Sequence, residues 1–250
     1  MRLLERQQDG SLALREFSDR NVPTYAILSH TWATDHSREV SFQDVESGTA
    51  KTKPGYEKIR FCAKQTAADG LRFFWIDTCC IDKKNAVELA TAINSMFRWY
   101  QKAARCYVYL SDVSIRGEQG RQFSPGWEPG FRKSRWFTRG WTLQELIAPT
   151  LVDFFSSEGE RLGTKLSLES MICDITGIAR NALKGVALSN ISIEERMSWA
   201  EHRDTSLEED EVYSLLGIFD VSMPLIYGEG KGKASRRLKE EIHKSYKGGY

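Results

Sequence analysis

Tyr25-Ala26-Ile27-Leu28-Ser29, just after Pro23, is a short and largely apolar run. A run of this length without polar alternation is the pattern of a strand buried on both faces. Two further runs follow it, Leu71-Arg72-Phe73-Phe74-Trp75-Ile76-Asp77 and Cys106-Tyr107-Val108-Tyr109-Leu110. Between the first and second, residues 56–69 set Tyr56, Ile59, Cys62, Ala63 and Thr66 at helical spacing, and Gly70 stands where a left-handed cap belongs. Between the second and third, residues 86–103 carry the apolar stripe Leu89, Ile93, Met96, Phe97 and Tyr100. Strand, helix, strand, helix, strand implies a parallel sheet with right-handed crossovers, whose sites open at the carboxyl ends of the strands. Those ends carry Ser29-His30, Asp77 and Ser111-Asp112.

Outward from this centre the pattern is less regular. The residues before Pro23 read as a polar leader. Residues 113–134 are rich in Gly, Pro and charge with no period, which predicts a long loop able to act as a lid. A helix is expected from 138 or 139 to 147, stopped by Pro149, then a fourth strand at Leu151-Val152-Asp153-Phe154-Phe155. Beyond this the chain changes character. Capping-box patterns at Ser192-x-x-Glu195 and Thr205-x-x-Glu208, with a last helix over 234–246, predict a helical extension. The expected division is an α/β core over 1–160 and the extension over 161–250.

The 250 residues are 41% hydrophobic, enough for one large domain. Lys and Arg (35) balance Asp and Glu (34), so no global field exists to gather nucleic acid. No apolar run approaches the roughly 20 residues of a membrane span, which argues against membrane insertion. Five cysteines, an odd number behind a charged start, favour reduced thiols and a cytoplasmic location. The adjacent pair Cys79-Cys80 lacks zinc-ligand spacing and no nearby His completes a set, so no metal is expected. No G-x-G-x-x-G and no P-loop pattern occurs, and Gly228 to Lys233 only superficially resembles a phosphate loop.

Three clusters can carry chemistry. Trp141 and Glu145 sit four apart and share a helix face; an indole wall would raise the carboxyl pKa and suit it to handling a proton or a cation. On spacing alone, a core Trp with a solvated or Arg139-paired Glu is the commoner outcome. Ser29, His30, Thr31 and Trp32 face the sheet's carboxyl edge, either towards a ligand or as a capped turn. Asp77 is a hydrogen-bond acceptor for a ligand hydroxyl or the N-cap of the next turn.

Tyr25-Ala26-Ile27-Leu28-Ser29-His30-Thr31-Trp32, Trp75-Ile76-Asp77-Thr78-Cys79-Cys80-Ile81-Asp82 and Arg139-Gly140-Trp141-Thr142-Leu143-Gln144-Glu145-Leu146, in that order, resemble the signature blocks of the fungal heterokaryon-incompatibility (HET) domain. The resemblance continues through Ala92 to Phe97, Arg196 to Ala200, Glu209 to Gly217 and Tyr227 to Gly230. One departure is Ala33, where the family commonly has Gly. HET domains are in turn similar to Toll/interleukin-receptor (TIR) domains, and Trp141-Thr142-Leu143-Gln144-Glu145 matches their W-x-x-x-E helix. The resemblance implies a flavodoxin-like (TIR-like) parallel sheet flanked by helices, and programmed-cell-death signalling in vegetative incompatibility and innate immunity. It further implies an NAD glycohydrolase activity with NAD as substrate and no cofactor, Glu145 acting on the N-glycosidic bond. Ser29, His30, Trp32 and Asp77 would line the pocket, Trp141 would pack beside the glutamate, and Arg135 would contact a phosphate. The competing reading is a non-catalytic adaptor that signals by self-association or through other death-signalling proteins. On either reading the chain is expected to serve as part of a longer receptor or as a small protein of its own.

Overall fold

A computed structural model describes residues 1–7, 9–116 and 126–247, with side chains up to residue 245. The strands, in chain order, are β1 (Arg2–Arg6), β2 (Leu12–Glu16), β3 (Tyr25–His30), β4 (Phe73–Trp75), β5 (Arg105–Tyr109), β6 (Val152–Phe155) and β7 (Arg161–Thr164). They form one sheet in the order β2-β1-β4-β3-β5-β6-β7. Its four central strands are mutually parallel, while β1, β2 and β7 join through antiparallel pairs.

Among the helices are α1 (Tyr56–Ala68), α2 (Ala86–Lys102), α3 (Thr142–Ile147), α4 (Glu169–Thr176) and α5 (Lys231–Lys247). The expected crossovers are present. After α1, Gly70 takes φ +71°, and the Leu71 amide returns to the Thr66 carbonyl at 2.9 Å, which stops the helix and redirects the chain into β4. Helix α2 starts where the Asn85 side chain accepts from the amides of Val87 and Glu88. It packs on the sheet through Ala92, Ile93, Met96 and Tyr100, and the Tyr100 hydroxyl donates to the Leu28 carbonyl of β3 at 3.0 Å. All six residues of β3 are buried, as a strand covered on both faces must be.

Several expectations are corrected. The polar leader is the β1–β2 hairpin, which buries Leu3 and Leu4 and holds the buried Glu5 between Arg15 and Arg72. The second core strand spans Phe73–Trp75 rather than all of 71–77. The helix expected from 138 starts only at Thr142, because Arg135–Thr138 forms a separate 3-10 turn. The loop over 113–134 contains a short helix, Glu128–Arg132, and residues 117–125 of that expected lid lie outside the described residues. Ser192 caps its helix through the Glu195 amide, but the Thr205 hydroxyl donates to the Leu207 carbonyl and opens no helix.

Strand β7 lies past residue 160 yet pairs with β6 in the same sheet. The helical segment that follows closes back on the core, and two sets of hydrogen bonds mark this. The Asn94 side chain of α2 exchanges hydrogen bonds with the Met223 backbone at 3.1 and 3.3 Å. The Asp204 backbone bonds Thr138 and Gly140 at 2.7 and 2.9 Å. Among the described residues, no helix is long and apolar enough to cross a membrane, and no group of three or more His, Cys, Asp or Glu is placed to hold a metal.

Candidate functional site

The parallel strands deliver polar side chains to one edge of the sheet, and there two linked clusters form. The first centres on Glu145. Helix α3 follows β5 and lies across the carboxyl end of β3, which sets Glu145 against Ser29. The Ser29 hydroxyl donates to Glu145 Oε2 and accepts from the Trp136 indole N–H at 2.8 Å. Glu145 is 7% exposed. Burial raises its pKa to about 8 and the Asp77 charge adds to this, against the opposing effects of Ser29, Tyr100 and Arg203. At neutral pH the carboxyl is therefore largely protonated.

The second cluster centres on Asp77, two residues beyond β4. Its Oδ1 meets His30 Nε2 at 3.2 Å, and its Oδ2 accepts from the Trp32 indole at 2.9 Å and from Lys83 Nζ at 3.4 Å. Lys83 also lies 3.6 Å above the Trp32 ring, a cation–π contact. Burial pushes the Asp77 carboxyl up, but the Lys83 ammonium and the His30 and Trp32 contacts outweigh it and hold the group below the usual carboxylate range. Its side chain keeps 20% exposure, so this cluster reaches the surface while Glu145 does not. Behind it, Lys58 binds the Thr31 carbonyl at 2.9 Å and pairs with the buried Glu39, which fixes the strand end.

The sequence-expected residues thus divide. Ser29, His30, Trp32, Asp77 and Glu145 converge, with Asp77 near enough to raise the Glu145 pKa. His30 has the partner that the sequence did not supply, Asp77. Trp141, expected as a wall beside Glu145, stands at the N-cap of α3, and its indole engages Asp210 of the C-terminal segment. The indole linked to Glu145, through Ser29, is that of Trp136. Arg135 is turned to Asp112, whose carboxylate accepts its backbone amide at 2.8 Å and lies 3.9 Å from its guanidinium.

Three participants carried no assigned role in the sequence. Trp136 lies three residues ahead of the third block, and nothing local says that its indole reaches β3. Tyr100, read as part of an apolar stripe, has a hydroxyl that faces Glu145. Arg203 is one Arg among many, yet its Nη1 donates to the Arg139 carbonyl and the Thr142 hydroxyl, both at 2.9 Å, and so anchors the start of α3. At the other end of that helix, buried Lys165 donates to the Leu146 and Pro149 carbonyls at 3.1 and 2.6 Å. The glutamate is therefore held on a short helix clamped at both ends.

No solved structure matches the chain. Residues 25–129 match the profile of the family described as Heterokaryon incompatibility protein (HET), a stretch that includes Ser29, His30, Trp32 and Asp77. The chain is 57% identical over 245 residues to Vegetative incompatibility protein HET-E-1 of Podospora anserina, an alignment covering 98% of this chain. It spans 18% of that relative's length. Over residues 25–129, and through its 57% identity to this relative, the chain is thus similar to heterokaryon incompatibility (HET) proteins.

Proposed function

We propose that the chain is an incompatibility-signalling domain of the cytoplasm that cleaves the N-glycosidic bond of NAD when several copies are brought together. The observation that carries the reading is the convergence of Glu145, Ser29 and Asp77 at the carboxyl edge of the parallel strands. Counting only those strands, their order is second, first, third, fourth, which supports a flavodoxin-like, TIR-like sheet whose switch point lies between β3 and β5. Ser29 stands at that switch point, where ligands of such sheets bind.

In this reading Glu145 stabilises the positive charge that develops on the ribose as the bond to nicotinamide breaks, and water adds to the anomeric carbon. Nicotinamide, ADP-ribose and a proton are the products. A neutral carboxyl cannot provide that charge. The closed site is accordingly the resting form, and clustering acts by opening it to water, which returns Glu145 to the ordinary carboxylate range. Residues 1–160 and 161–250 then work as one unit, since Arg203 anchors the helix that carries Glu145.

A second reading is favoured by the burial of Glu145: the polar centre holds the fold, and the domain signals by self-association or by recruiting other death-signalling proteins. Nicotinamide release from NAD by the chain, alone and artificially clustered, against Glu145→Gln at matched folding, separates the two. Release that depends on clustering and on Glu145 is expected. No release in any clustered form establishes the adaptor.

A further inference from the structure

Between the β1–β2 hairpin and α1 lies a cavity of about 440 Å³, and none of the residues described around Glu145 or Asp77 lines it. Four cations from three separate segments do: Arg6 at the end of β1, Lys51 of the 3-10 turn Ala50–Thr52, and Arg60 and Lys64 of α1. All four residues are exposed, so a solute entering from water meets them. Among the described residues, no Asp or Glu lines the cavity. Arg60 pairs with Glu57 at the surface, while Arg6, Lys51 and Lys64 have no described carboxylate within ion-pair distance. Asp9 lies near enough to feel Lys51, but its Oδ1 is taken by the Ser11 amide and hydroxyl at 2.8 and 2.6 Å. Arg60 and Lys64 stand one helical turn apart, a spacing at which like charges repel. A concave surface lined by one sign of charge focuses its field and draws in the opposite sign.

We propose that this cavity binds a nucleoside diphosphate, its phosphates held by the four cations and its base by the Tyr56 ring. The three cations without a carboxylate partner balance the roughly three negative charges of a diphosphate chain near neutral pH. Arg60 adds a guanidinium that can turn from its exposed partner to a phosphate, since a surface ion pair contributes little. Tyr56 stands one turn before Arg60 on α1, and Leu12 and Ile59 complete an apolar floor. An aromatic ring beside the cations is what a base stacks on, and bare pyrophosphate would leave that ring unused. The volume falls within the roughly 300–1,000 Å³ of small-molecule sites, which suits a single nucleotide. A nucleic-acid strand would need a longer basic track, and over the whole chain acidic residues nearly balance basic ones. The site stands apart from the NAD reading and does not depend on it.

Isothermal titration calorimetry of the whole chain with ADP, AMP, adenosine and inorganic pyrophosphate tests this. Arg6→Glu and Lys64→Glu change the cavity, while Glu145→Gln and Lys239→Glu serve as controls outside it. Saturable ADP binding that weakens with added salt is expected, with the three fragments about tenfold weaker or more. Each cavity variant should weaken ADP binding about tenfold or more, and both controls should bind as the parent does. Absence of ADP binding, equal binding of any fragment, or retention by either folded cavity variant overturns the proposal. So does loss of binding in Glu145→Gln alone, which would put the nucleotide at the Glu145 centre, or tighter binding of a single-stranded oligonucleotide than of ADP. Thermal unfolding checks each variant, and should one fail to fold, Lys51→Glu takes its place. None of these readouts depends on NAD turnover.

Discussion

The Ser29 hydroxyl donates to the Glu145 carboxyl across 116 residues of chain, and that bond joins the first parallel strand to a helix that follows the third. It makes a strand-end serine part of a buried polar centre, and the proton held there has consequences that can be measured.

Glu145 has a folded pKa of about 8 against an unfolded value near 4.5. The folded state therefore holds its proton more tightly. Its contribution to stability is fully present below about pH 4.5 and is lost as pH rises towards 8. The unfolding free energy from urea titrations at pH 5 to 9 should fall more steeply for the parent than for Glu145→Gln, by a few kcal/mol in total, in keeping with about 1.4 kcal/mol per pKa unit. Parallel profiles would show that the carboxyl is ionised in the folded protein.

Asp77 behaves in the opposite sense. Its folded pKa is depressed, so its stabilisation is present above the ordinary carboxylate range and is lost as pH falls through that range and below. Asp77→Asn should destabilise the protein at pH 7 by about 1–3 kcal/mol, having left Lys83 without its partner. The same variant should flatten the acid limb of the stability profile. An acid limb as steep as the parent's would place the responsible carboxylate elsewhere.

Trp136→Phe keeps a ring against Phe137 and Phe154 but removes the indole donor to Ser29. A loss of about 1 kcal/mol is expected, read as a lower urea midpoint at unchanged slope. An unchanged midpoint would mean that this hydrogen bond contributes nothing net.

Gly217 packs its α-carbon on α2, and a Cβ there would meet the Phe97 Cβ at 2.0 Å. Neither atom belongs to a flexible side-chain end, so relief requires a shift of backbone. Gly217→Ala should cost about 2–3 kcal/mol or more, visible as a lower thermal midpoint. A variant as stable as the parent would show that the C-terminal segment can move off α2 without loss.

Much of the architecture was legible because it rests on local pattern. The runs at 25–29 and 106–110, the stripes over 56–69 and 86–103, and Gly70 each show their conformation within a window of a few residues. The β1–β2 hairpin was not legible: Arg2, Glu5, Arg6, Arg15 and Glu16 read as a solvated leader until β4 supplies an edge and Arg72 a partner for Glu5. Strand β7 was missed for the same reason, since only its pairing with β6 makes Arg161–Thr164 a strand.

By itself the sequence determined the alternation of strands and helices, and with it which strand ends would carry Ser29, His30 and Asp77, because hydrophobic periodicity and chain direction are local properties. Only the tertiary structure decided that Trp136 rather than Trp141 is linked to Glu145, that Arg135 turns to Asp112, and that Arg203 anchors α3 from the C-terminal segment. Each of these is a contact between residues remote in the chain or a choice among neighbouring side chains, and what settles such choices is the burial of each polar group with a partner in three dimensions.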